Sequence, residues 1–340
     1  MDNFAKLSIE ERDVYIQEAA NRSGLTPIII EKDFWVCWTL DRLSKIPALT
    51  PHLTFKGGTS LSKCYSVIQR FSEDIDLTIS KNAPIVNQVP SAFEDALLSN
   101  ETKRRIEALS DAAKLYVHAI ALPQLADAIT RELGESKTWQ IFLDDEDRDG
   151  QTIIFKYPSS SNATDYIKPQ IKLEFGARGD IEPNEMRDIK PYISSIISEL
   201  GLVSNLKFAT LSAQRTFWEK ATILHALHHS PNELKDRMSR HYYDVYMLSK
   251  SGIGAAAIAQ PELLEAVVRN KSLMFKDNKA SYETAILGTL KLIPKDADLA
   301  KLKSDYAAMK EMFMEPSPSM EDIIAELHVL EGKINANRRL

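Results

Sequence analysis

The 340-residue chain predicts an α+β fold: a mixed β-sheet introduced by helices and followed by a helical domain. Three observations carry this. Helix-start signals crowd the first 45 residues, strand-like alternation recurs between residues 52 and 177, and from about residue 188 the pattern is almost wholly helical. The expected division is therefore 1–187 for the sheet domain with its N-terminal helices and 188–340 for the helical domain, with a ligand site between two lobes.

Taken in order, Ser8-Ile9-Glu10-Glu11 is a capping-box pattern that opens a helix ending near Gly24. Thr26-Pro27 starts a second helix, with Thr as cap and Pro in the first turn. Its aromatic residues Phe34, Trp35 and Trp38 are expected in the core rather than as a base-stacking platform, while Lys32 and Asp33 border the site. Residues 52–56 form a strand, 61–69 a helix and 74–79 a second strand. Residues 91–133 read as helical, interrupted at Pro123. Two strands, 138–143 and 152–157, flank an acidic turn, 144–150, which lacks the EF-hand ligand series and is expected to be a solvated hairpin turn. In the last strand, 167–177, Ile171, Leu173 and Phe175 alternate with Lys172 and Glu174. Helices follow over 211–228 and from 237 onward; Met314-Glu315-Pro316-Ser317-Pro318-Ser319 is a linker to a last helix over 320–334, with a loose tail after it.

The chemistry concentrates between Phe55 and Ile79. Gly57, Gly58, Thr59 and Ser60 follow the first strand, and Asp74-Ile75-Asp76 lies in the second. Aspartates two apart on a strand project from one face. Magnesium enters sites through one or two carboxylates plus substrate phosphates, and two such ions can clamp an in-line displacement at phosphorus. Glycine lets the backbone approach a phosphate that a side chain would hold away. Paired carboxylates beside a Gly-rich turn point to phosphoryl or nucleotidyl transfer. Either part alone is weak: tight turns often read Gly-Gly-Thr-Ser, and aspartates are common on solvated strands.

Gly57-Gly58-Thr59-Ser60-Leu61-Ser62-Lys63, followed by Arg70-Phe71-Ser72-Glu73-Asp74-Ile75-Asp76-Leu77, resembles the signature of the AbiEii/AbiGii toxin family of nucleotidyltransferases. The resemblance implies a polymerase-β-like nucleotidyltransferase core. It maps Asp74, Asp76 and Glu174 onto the metal-binding carboxylates, with Mg²⁺ (two ions possible) and an NTP as substrate. Gly57, Gly58, Thr59, Ser60 and Lys63 fall on the nucleotide-binding turn. Lys220 and Asp244 match the later catalytic motifs, with Lys220, Arg237 and Arg240 as phosphate-binding cations. It further implies a toxin of a bacterial toxin–antitoxin or phage-defence system, an RNA acceptor such as tRNA, and a cognate antitoxin that is often a DNA-binding regulator. Other acceptors fit the same superfold, so nucleotidylation of a protein or small molecule stands as an alternative. A catalytically silent nucleotide-binding module and a carboxylate–metal phosphohydrolase explain the motifs less well.

Bulk properties set the remaining bounds. A net charge of −6 argues against adhesion to nucleic acid by overall charge and leaves room for a local basic channel. The two cysteines, Cys37 and Cys64, have no metal-ligand spacing. His225, His228 and His229 have helical spacing without the acidic neighbour of a zinc helix, and His241 is a candidate substrate contact. No apolar run is long enough to span a bilayer and no signal peptide is evident, so a cytoplasmic location is expected.

Overall fold

In the computed structural model, residues 1–94, 97–161, 167–202 and 204–337 are described. They form two compact units. The first comprises residues 1–64 and 73–210, and the second residues 65–72 and 211–340. The chain thus crosses into the second unit for eight residues between the glycine turn and the paired aspartates.

The first unit is built on seven strands: β1 (Leu53–Lys56), β2 (Ile75–Ile79), β3 (Gln140–Leu143), β4 (Thr152–Lys156), β5 (Ile171–Gly176), β6 (Asn184–Asp188) and β7 (Lys207–Leu211). They form one mixed sheet in the order β3-β4-β5-β2-β1-β7-β6. β1 and β2 are antiparallel, with Lys56 opposite Asp76, and β2 and β5 are parallel, with Asp76 beside Glu174. The first five strands lie where the alternation puts them. β6 and β7 were not expected; each is only five residues long, and β6 is largely exposed, so no apolar alternation betrays it.

The N-terminal helices follow their punctuation. Ser8 and Glu11 complete a reciprocal capping box for the helix Ile9–Ser23, which ends at Gly24 in the left-handed conformation. The helix Pro27–Ser44 is buried along most of its length, and Trp35 and Trp38 stack on Tyr157 and Phe155 of the sheet face. These aromatics are core. Pro123 sits in the first turn of the helix Leu122–Leu133, and a π-helical segment, Val117–Ala121, joins that helix to Ser99–Tyr116. The helix expected over 61–69 instead runs Gly57–Lys63 and starts directly from β1. The acidic segment is a hairpin turn closed by Asp144 and Asp147 on backbone N–H groups.

In the second unit the helix Ala213–His229 packs against Ser239–Lys250, Ile253–Ile258 and Pro261–Met274. The segment 65–72 is stapled there as a strap: Phe71 N–H donates to Met312 O at 2.7 Å and Met314 N–H to Gln69 O at 3.0 Å. The final helix, Met320–Ala336, carries its own capping box at Ser319 and Asp322. The tail 338–340, read as loose from the sequence, lies outside the described residues. Among the described residues no helix is long and apolar enough to cross a membrane.

One buried carboxylate pins three helices of the first unit. Asp33 accepts from Lys63 Nζ at 2.6 Å and from the Tyr192 N–H at 2.6 Å, and the Tyr192 hydroxyl bonds that of Ser62 at 2.9 Å. Burial would strip the Lys63 proton, but Asp33 beside it keeps the ammonium charged. Removing one partner of such a pair strands a buried charge. Lys63→Met is expected to destabilise the protein by ~3–5 kcal/mol in urea unfolding, and a loss below ~1 kcal/mol would contradict this role.

Candidate active site

Gly57 adopts φ +81°, a left-handed conformation that L side chains rarely take. Space imposes a second demand: a Cβ placed on Gly57 would lie 2.0 Å from Asp76 Oδ2 and 2.9 Å from its carboxyl carbon. The β1–β2 register therefore lays the Asp76 carboxylate directly on the turn backbone. The two hydroxyls hold that turn: Thr59 Oγ1 donates to Asp74 O, and Ser60 Oγ to Gly57 O at 2.9 Å. Gly58, Thr59 and Ser60 are buried. Thr59 and Ser60 were expected to face phosphates; their hydroxyls instead join the turn to the aspartate segment and to itself. Lys63, expected with them, points to Asp33 and lies 3.6 Å from the centre of the Tyr192 ring.

The carboxylates come together through the β2–β5 pairing, which sets Glu174 beside Asp76. Asp74 is pushed up to about 7, first by burial and then by the neighbouring charges of Glu73, Glu174 and Asp76. Glu73 is paired with Lys32, which also donates to Lys168 O at 2.9 Å. Lys32 is thus paired with the residue that precedes Asp74, whereas Asp33 pairs with Lys63 and Tyr192. Glu174 Oε1 lies 3.1 Å from Lys172 Nζ on its own strand.

The donor set is all carboxylate oxygen, which suits a hard cation such as Mg²⁺. A carboxylate whose charged form is disfavoured by burial and by three like charges is stabilised by any cation that joins it. Among the described residues no group of three or more His, Cys, Asp or Glu side chains is placed to hold a metal ion. Asp74, Asp76 and Glu174 match such an ion in donor type.

Within the second unit, Asp244 is fully buried and accepts two parallel bonds from Arg70, Nε to Oδ1 and Nη2 to Oδ2, both 2.8 Å. Lys220 Nζ lies 2.8 Å from Asp244 Oδ2. Burial alone would raise the Asp244 pKa; Arg70 and Lys220 reverse this and hold it well below the usual carboxylate range. Burial, Lys220 and Arg240 together keep His241 neutral. Arg237 lies before the helix Ser239–Lys250 at φ +65°, where its N–H donates to Asp305 at 2.6 Å. Arg240 is half-buried in the first turn of that helix. His225 is structural: Lys291 N–H donates to its Nδ1 at 3.0 Å, and its Nε2 lies 3.0 Å from Ser281 O. His228 Nδ1 bonds Ile293 O at 2.8 Å.

Sequence reasoning missed Arg70 as a partner of Asp244. The two are 174 residues apart, and only the Arg-Phe-Ser-Glu-Asp run hinted that Arg70 belongs to a functional segment.

The raised Asp74 pKa makes a prediction with a defined sign. A carboxyl whose folded pKa exceeds its unfolded value stabilises below the unfolded pKa, and that contribution is lost as pH rises through the folded one. For Asp74 the window runs from the usual 3.8 up to about 7. Asp74→Asn in EDTA should therefore raise Tm at pH 8, on the order of 5 °C, with the gain shrinking toward pH 5. A lower Tm at both values would contradict the assignment.

A family profile described as nucleotidyl transferase AbiEii toxin, Type IV TA system, matches residues 38–326. That span takes in the glycine turn, the three carboxylates, Lys220 and Asp244. No curated protein matches the chain. Among solved structures the chain is similar to MenT4, a nucleotidyltransferase toxin from Mycobacterium tuberculosis H37Rv. The identity is 14%, the match covers 94% of this chain and 98% of that one, and the TM-score is 0.41. On the strength of the profile match over most of its length, this chain belongs to the AbiEii family of nucleotidyltransferase toxins of toxin–antitoxin systems.

Proposed function

We propose that the protein transfers a nucleotide from an NTP to an RNA acceptor, the 3′ end of tRNA, in a Mg²⁺-dependent reaction that arrests translation and growth. The observation that carries this reading is the Asp76 carboxylate resting on the Gly57 backbone with Asp74 and Glu174 in its electrostatic reach. Asp74, Asp76 and Glu174 are the residues that would hold Mg²⁺. Bound there, the ion neutralises charge on the triphosphate and on the departing pyrophosphate.

The chain's own residues do the rest. The backbone at Gly57 and Gly58 approaches the phosphates, and the Thr59 and Ser60 hydroxyls keep that backbone in place. Lys220, Arg237 and Arg240 are the cations proposed for the phosphate oxygens, Lys220 as a point charge and the arginines through their planar forks. Lys63 is left out of this set because Asp33 holds it. The attacking hydroxyl oxygen bonds to the α-phosphorus as the α–β phosphoanhydride breaks, and pyrophosphate leaves. The hydroxyl proton passes to a carboxylate, with Glu174 as the proposed base.

The tRNA acceptor, a role in phage defence and neutralisation by a DNA-binding antitoxin rest on the family resemblance, and the cytoplasmic setting on the sequence reading. Wild type and Asp76→Ala are to be incubated with Mg²⁺, total bacterial RNA and each labelled NTP in turn. Label is expected on tRNA-sized RNA with wild type only, with transfer by the variant reduced by at least ~10³-fold. Label on protein would replace the acceptor. Full activity of Asp76→Ala would overturn the site.

A further inference from the structure

The Asp244 carboxylate is shared by two cations, and this sharing bears on how Lys220 becomes available to a phosphate. Arg70 occupies both oxygens with a planar fork at 2.8 Å, while Lys220 reaches Oδ2 at 2.8 Å. All three groups are buried: Arg70 is 2% exposed, Lys220 7% and Asp244 0%. Two buried cations therefore share this one carboxylate.

Consider Lys220 without Arg70. Its ammonium would be the sole strong counterion of a fully buried carboxylate, and leaving it for a phosphate would strand that charge out of water. With Arg70 in place Asp244 stays compensated after Lys220 turns away. The fork is also fixed in place. The Arg70 backbone lies in the strap between the Phe71–Met312 and Gln69–Met314 hydrogen bonds, and Gln69 N–H donates to the Tyr243 hydroxyl at 3.1 Å. His241, kept neutral, adds no competing charge.

We propose that Arg70 is a positioning residue that releases Lys220: it neutralises Asp244 permanently, so that Lys220 exchanges its carboxylate partner for a phosphate of the incoming nucleotide. This rests on the nucleotidyltransferase reading above and adds to it the group that makes Lys220 transferable. Arg70 acts through Asp244 and Lys220.

The test is equilibrium binding of inorganic tripolyphosphate and of each NTP, measured calorimetrically at fixed Mg²⁺. Arg70→Gln should weaken binding by about tenfold or more, because Lys220 becomes locked to Asp244. The double variant Arg70→Gln/Asp244→Asn removes the lock and should bind within about threefold of wild type. A purely structural role for Arg70 predicts the opposite, a double variant no better than the single one, and that result overturns the proposal. Unchanged binding by Arg70→Gln overturns it too. Should Arg70→Gln fail to fold, Asp244→Asn alone decides: it frees Lys220 and should bind tripolyphosphate at least as tightly as wild type, whereas weaker binding overturns the proposal. Wild type binding none of these probes would remove the nucleotide reading and this inference together. Wild-type binding with the wrong variant pattern removes this inference alone.

Discussion

The Asp76 carboxylate and the Gly57 backbone occupy adjoining space with no room for a methyl group between them. Much of the first unit can be read as serving that contact. The antiparallel β1–β2 register brings the two residues together, and the parallel β2–β5 register brings Glu174 alongside. The buried Thr59 and Ser60 hydroxyls and the Lys63–Asp33 pair then fix the short helix that begins at Gly57. The Thr59, Ser60 and Lys63 side chains are thus used for rigidity. A site that must hold polyanions and cations within tenths of an ångström gains more from a locked turn than from one more flexible hydroxyl.

Charge is distributed unevenly between the units. In the first, burial and then the like charges of Glu73, Glu174 and Asp76 leave Asp74 with a raised pKa, which a bound cation would relieve. In the second, Arg70 and Lys220 share the buried Asp244 carboxylate. The crowding around Asp74 lowers stability, and a core that includes the fully buried Trp35 and Trp38 offsets it.

What the sequence makes legible follows interaction range. The capping box at Ser8, the Pro in the first turn of Pro27–Ser44 and the alternation of β5 are local signals, and each element lies where they place it. The glycine turn and the D-x-D pattern are local as well. The partners of buried charges are not. Lys63 reads as a phosphate ligand because it follows Gly-Gly-Thr-Ser, yet its partner Asp33 is 30 positions away on another helix. The link from Arg70 to Asp244 spans 174 positions. Nor does periodicity show that the eight residues before Glu73 cross into the second unit, since that depends on pairing with Phe313. β7 was missed because five residues entering a helix leave too little alternation to count.

The central claim is that the nucleotide site requires the Asp76 carboxylate against a bare Gly57 backbone. Its most direct test is Gly57→Ala compared with Gly24→Ala. Both positions are left-handed, at φ +81° and +73°, but a Cβ on Gly24 meets nothing within 4 Å. Both variants bear similar backbone strain, on the order of 1 kcal/mol, and only Gly57→Ala displaces Asp76. In a labelled-NTP transfer assay normalised to folded protein, Gly24→Ala should keep wild-type activity while Gly57→Ala loses at least ~100-fold. Equal activity of the two variants would contradict the account.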